Sequence, residues 1–207
     1  MTAAQSDVGE VAVNPRAERS RTALIDAMTS ALETLEPGTV LSVAEIARTA
    51  GVSRPTLYQH FGDLPNLMRA AAMVRLVALF DTVPPPAPQK EISWREASVA
   101  ALRALLTELE HRRGFYLAVL DSTAARDVRE DVIEFLASRI VDVTALGPVM
   151  KDTEPTEQDV RERAMFLAAG ALWRTERWLR DDDSEPAEQL ADRLSRILSA
   201  AAGVPAA

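Results

Sequence analysis

The 207-residue chain has no cysteine, which excludes a disulfide framework and any thiolate metal site and suits a reducing compartment. It has two histidines, so the common nucleophilic and zinc chemistries lack their parts. It has eight glycines, none in Gly-x-Gly-x-x-Gly spacing, so no loop is built to cradle a phosphate. Its longest apolar stretch, AAAMVRLVALF, is too short for a membrane span and contains Arg75. The first residues, MTAAQSDVGE, lack the basic and apolar runs of a signal peptide. No internal repeat and no sustained alternation of strand type is visible. These absences point to an all-α, cytoplasmic, non-enzymatic protein with no cofactor, no metal and no membrane partner.

Hydrophobic residues make up 47% of the chain, enough for a sizeable core, and 26% are charged. The formal net charge is -8, which argues against a uniformly basic nucleic-acid binder. The charge is unevenly placed. Residues 14–76 hold seven arginines against six acids, net +1, while 77–207 hold sixteen basic and twenty-three acidic residues, net -7. Phosphate contact near the N-terminus therefore stays open.

Residues 1–13 read as a mobile tail. From Pro15, helical spacing puts Leu24, Ile25, Met28, Leu32 and Leu35 on one face, until Pro37 and Gly38 end the helix. A second helix follows, with Ser42 and Glu45 at capping-box spacing. Its apolar positions are Val43, Ile46, Ala47 and Ala50, and Gly51 stops it. Ser53 can cap a third helix, GVSRPTLYQHF, whose first turn tolerates Pro55 because N–H groups there have no partner within the helix. A fourth begins around residues 63–65 and runs to about Phe80. The Pro-rich stretch at 83–89 then interrupts the chain. Further helices are expected at 92–111, 113–121, 126–146, 157–181 and 186–202.

Two short helices joined by a glycine turn, after a longer one, make a helix-turn-helix. At about 100° per residue, Leu57 of the third helix faces the core, while Arg54, Pro55, Thr56, Tyr58 and Gln59 face out. Such a polar face suits the major groove, with Arg54 matched to guanine and Gln59 to adenine. Thr56 suits a thymine methyl or a phosphate. Tyr58 and His60 suit phosphates, which set register without reading sequence. Ser42, at a helix start, can bring hydroxyl and N–H groups to another phosphate.

The stretch LSVAEIARTAGVSRPTLYQHFGDLPNLM, residues 41–68, resembles the TetR family of bacterial transcriptional regulators, most specifically in IARTAGVS and LYQHF. The resemblance implies a helix-turn-helix DNA-binding domain at 14–63 and a ligand-binding and dimerisation domain at 64–207, with the fourth helix as connector. It implies a homodimer on double-stranded palindromic operator DNA, usually repressing and released by a small-molecule effector. Matched by motif, Ser42, Arg54, Pro55, Thr56, Tyr58, Gln59 and His60 would face DNA. One position departs. Three residues after the motif phenylalanine the family usually carries a phosphate-contacting lysine, and this chain has Leu64. Arg16, Arg19 or Arg21 would have to compensate, or the chain would be a small-molecule binder with weak or lost DNA binding.

In RERAMFLAAGALWRTERWLRDD, residues 164–173 are apolar on nearly every side, so the helix must bury more than one face. Small residues there permit close approach of a partner. The last helix carries Leu190, Leu194, Ile197 and Leu198 at helical spacing. The resemblance implies that these two helices form the dimer interface, with Ala169, Gly170, Trp173, Leu190, Leu194 and Ile197 as its candidates. Candidates for an effector cavity are Trp94, Leu105, Phe115, Tyr116, Leu120 and Phe166. The Tyr116 hydroxyl and the EHRR corner at 110–113 would supply its polarity. Glu108 and His111 have the spacing of a di-iron motif, but such a site needs the motif twice. They read as a surface charge cluster. RDDDSE, residues 180–185, reads as a solvated helix end.

Overall fold

The computed structural model describes residues 14–35, 39–82, 94–144 and 146–203. The expected tail at 1–13 and the Pro-rich stretch at 83–89 lie outside them. Every regular element among the described residues is a helix. In chain order these are α1 Pro15–Glu33, α2 Val43–Thr49, α3 Arg54–Phe61, α4 Leu64–Asp81, α5 Trp94–His111, α6 Arg113–Leu120, α7 Ala125–Asp142, α8 Leu146–Thr153, α9 Glu157–Arg180 and α10 Ala187–Ala201.

The first four helices start where local chemistry tells them to. Asn14, Ser42, Ser53 and Asp63 each cap a helix by accepting a backbone N–H of its first turn. Each such cap is worth about 1 kcal/mol. Prolines in the first turns of α1, α3 and α4 replace N–H groups that have no helical partner. Gly51 at φ 67° and Gly62 at φ 78° end α2 and α3 in a backbone region that disfavours side chains. Leu24, Met28, Ile46, Leu57 and Leu67 then close one core, all at 2% exposure or less.

That core does not stop at α4. Phe115 and Val119 of α6 and Val128 of α7 belong to it. A second core joins α7, α8, α9 and the end of α10, and a third joins α5, α9 and α10. Ion pairs tie distant elements together: Arg69 to Asp131, Arg129 to Glu176, Arg163 to Glu154, and Arg174 to Glu185.

The sequence places one helix over 126–146, but α7 ends at Asp142 and α8 follows. The turn between them depends on Gly147, where an added Cβ would lie 2.0 Å from the Val141 carbonyl oxygen. The stretch at 180–185 is also more structured than expected. Glu185 pairs with Arg174 and Arg193, Asp182 with Arg113, and the Trp178 indole N–H donates to the Glu185 carbonyl at 2.6 Å.

Candidate nucleic-acid interface and ligand cavity

The outward face of α3 follows from its ends. Ser53 accepts the Thr56 N–H at 3.3 Å, and Leu57 is fully buried, so the rotation of this short helix is fixed. Arg54, Pro55, Tyr58 and Gln59 are left exposed, and Tyr58 is 51% exposed without any core role. An exposed arginine, tyrosine and glutamine on one short helix offer hydrogen bonds to a groove and nothing to the fold.

The remaining expected DNA contacts are placed differently. The Thr56 hydroxyl lies 2.8 Å from the Ser53 hydroxyl, half-buried against its own cap. His60 is half-buried beside Phe61, in a shallow hollow with Arg21, Asn66 and Arg69. Ser42 accepts the Glu45 N–H at 3.2 Å and donates its hydroxyl to the Glu45 carboxylate at 2.7 Å. Its hydroxyl is thus already engaged, and the free N–H groups at the start of α2 are what it leaves for a phosphate. Leu64, in the first turn of α4, packs against the N-terminal core. Of the arginines on α1, Arg21 stacks on Phe61 at 5.2 Å and Arg19 donates to the Pro15 carbonyl, while Arg16 is exposed.

Behind this module lies a cavity of about 300 Å³ between α4, α5, α6, α7, α9 and α10. Leu105, Tyr116 and Leu120 line it, as the sequence suggests. Phe115 does not. One residue away from Tyr116 on α6, it turns into the N-terminal core at 1% exposure, with the Arg75 guanidinium 5.1 Å over its ring. Phe166 does not either, being 78% exposed on the opposite side of α9. The side chain of Trp94 lies outside the described residues. The EHRR corner is also absent from the lining: Arg112 pairs with Glu33 and Glu108, and Arg113 with Asp182.

The lining holds residues that sequence reasoning missed. Val128, Val132, Leu136, Arg139, Ile140 and Val143 form one stripe along α7. Their i, i+4 spacing was available as a signal; which side of α7 faced empty space was not. Two hydroxyls at the wall, those of Tyr116 and Ser195, are buried and have no hydrogen-bond partner. Burial pushes the Tyr116 phenol above its ordinary pKa, so it stays a neutral donor.

A third feature is an open apolar stripe. Phe166, Gly170 and Trp173 of α9 are exposed at helical spacing, beside Ile197 of α10 at 54%. Gly170 faces open space, and Ala169 is half-buried. Leu190 and Leu194 are not on this face. They are 0% and 4% exposed, in the core with Leu106 and Trp178. Among the described residues no group of acids and histidines is arranged to hold a metal, and no helix is long and apolar enough to cross a membrane.

Residues 39–71 match the family of bacterial regulatory proteins, tetR family. Solved structures similar over nearly the whole chain include the TetR family repressor AlkX from Dietzia sp., implicated in biodegradation of n-alkanes. It is 20% identical, covers 92% of this chain and 96% of its own, and has a TM-score of 0.60. A protein from Mesorhizobium loti assigned to the TetR family is 20% identical at a TM-score of 0.60, covering 90% and 98%. NalD, the secondary repressor of the MexAB-OprM multidrug efflux pump in Pseudomonas aeruginosa, is 20% identical at a TM-score of 0.50, covering 90% and 96%. At these identities the likeness establishes the fold. No curated protein matches.

Proposed function

We propose that the chain is a TetR-family transcriptional regulator that acts in the cytoplasm as a homodimeric repressor of a palindromic operator, released by a small molecule bound in the α4–α10 cavity. The family is one of regulators, not enzymes. The observation that carries the proposal is the exposed Arg54, Tyr58 and Gln59 face of α3, rigidly mounted on a core that runs through α6 to the cavity. In this reading Arg54 and Gln59 read bases, and Tyr58 and the start of α2 hold phosphates. The α9–α10 stripe of Phe166, Gly170, Trp173 and Ile197 joins two copies. Pairing sets two recognition helices about 34 Å apart, as a palindrome in successive major grooves requires. Residues 14–63 form the reading domain, 64–207 the sensing domain, and α4 connects them. A ligand that binds the DNA-incompetent state more tightly moves α4 and changes that spacing.

The test is selection of bound duplexes from a random pool, with affinity followed against salt. An enriched palindrome with a steep salt slope is expected. Tyr58→Ala should then lower affinity for all sequences alike, whereas altered base preference would make Tyr58 a reader. Leu64 and the engaged Ser42 hydroxyl favour a second reading, a small-molecule binder with weak DNA contact. Weak, unselective binding to every duplex would establish that one.

A further inference from the structure

The cavity has a chemical bias that its apolar lining hides. Residues lining it on α7 run from Val128 to Val143, so the lined length is about 20 Å at 1.5 Å per residue. A ligand that uses the whole stripe must be extended along α7. At one end, Val128 packs with Val119 of α6, near the partnerless Tyr116 hydroxyl. Towards the other lies Arg139, half-buried on the lining stripe.

The surroundings of Arg139 decide what it can take. Its guanidinium lies 5.6 Å from the Phe80 ring and 5.9 Å from the Phe135 ring. The two rings stand at 79° to each other, so they cannot both stack on its flat side, and neither offers an oxygen to its N–H donors. Among the described residues no ion pair reaches Arg139. Among the described residues the one carboxylate in the lining is Glu176, which Arg129 already pairs at 2.7 Å. The wall therefore carries one uncompensated positive charge in apolar surroundings. An anionic planar head satisfies its fork with two parallel, charge-assisted hydrogen bonds, and a neutral head cannot.

We propose that the cavity takes a long-chain carboxylate, its head on the edge of the Arg139 guanidinium and its tail along the α7 stripe towards Tyr116. The assignment rests on the reading of this cavity as the effector site.

The test uses the full chain and three probes that share one tail, dodecanoate, dodecanol and dodecylamine, titrated calorimetrically below their micelle concentrations. Dodecanoate should bind about tenfold more tightly than dodecanol, with dodecylamine weakest. Arg139→Met keeps the apolar bulk and removes the charge. It should reduce the carboxylate preference to about twofold while dodecanol binds as before. Arg139→Lys, which keeps charge without the fork, should retain part of the preference, and the wild-type series decides the matter even if both variants misfold. Equal binding of acid and alcohol, a preference that survives Arg139→Met, or no binding of any probe would overturn the assignment. Operator release is scored separately by gel shift. Dodecanoate bound with Arg139-dependent preference but without release would overturn the effector reading and leave the ligand chemistry standing. Loss of head-group preference would do the reverse.

Discussion

The half of the molecule that presents α3 and the half that encloses the cavity solve opposite problems. The first is solid: four helices each with a side-chain cap, two glycine stops, and leucines at 0% exposure around Leu57. The second is hollow. Thr156 caps α9, while α6, α7 and α10 have no side-chain cap. Helices around a void of about 300 Å³ are tied by ion pairs, some between elements far apart in sequence (Arg69 to Asp131, Arg129 to Glu176) and some between neighbours (Arg163 to Glu154, Arg174 to Glu185). A part that must present one face needs a filled interior, and a part that must admit a guest cannot have one.

The largest expected effect tests that contrast directly. Leu57→Ala leaves a hole in a filled core and should cost about 2–5 kcal/mol in urea denaturation. Leu105→Phe adds bulk to a cavity wall, where overpacking a filled core would cost about 1–3 kcal/mol. Because the ring can enter empty space, its cost should stay below about 1 kcal/mol while ligand binding is lost. Similar losses at both sites would mean that the cavity is closed in solution.

Next in size is the open stripe. Trp173→Glu replaces the ring under the Arg177 guanidinium with a charge at the centre of the α9 face, where burial against a second copy would strip its water. Sedimentation should show a monomer, with operator affinity reduced about a hundredfold or more, and unfolding of the monomer unit should be little changed. A dimer that persists would move the interface elsewhere. A smaller effect is expected at the α3 cap. Ser53→Ala should cost about 1 kcal/mol of stability, and with it the fixed rotation that aims Arg54 and Gln59.

The same contrast explains what could be read in the sequence. Ser53, Pro55, Gly51 and Gly62 act on their immediate neighbours, so the bounds of α2 and α3 and the outward placement of Arg54, Pro55, Tyr58 and Gln59 were legible, whereas Thr56 turned back to its cap. Gly147 acts on Val141 across a turn whose closeness no local pattern announces, and α8 was missed. Around α9 the pattern showed that two faces are apolar but not which one is covered. Phe166 was therefore expected inside and lies outside, while Leu190 and Leu194 were expected at a partner and lie in the core. On α6 the ambiguity was a single residue: Phe115 and Tyr116 are adjacent aromatics, one turned to the solid half and one to the void. Arg139 was invisible as a site because only assembly puts it beside Phe80, without an ion-pair partner among the described residues.

The smallest expected change in stability lies where the halves meet. Glu33, the last residue of α1, pairs with Arg75 of α4 at 2.8 Å and with Arg112, just before α6, at 2.7 Å. Arg75 in turn covers Phe115, whose neighbour Tyr116 faces the cavity. One carboxylate thus joins the end of α1 to two of the elements that line the cavity. All three side chains are partly exposed, so Glu33→Gln should cost about 1 kcal/mol or less in denaturation. Its effect on communication should be larger than its effect on folding. Ligand and operator affinities are linked, and the link is the difference between two states of contacts such as this one. Glu33→Gln should alter the ratio of operator affinities with and without effector by about two- to thirtyfold, while each affinity alone moves less. An unchanged ratio would assign the coupling to apolar packing through Phe115, and Phe115→Leu would then be the variant that weakens it.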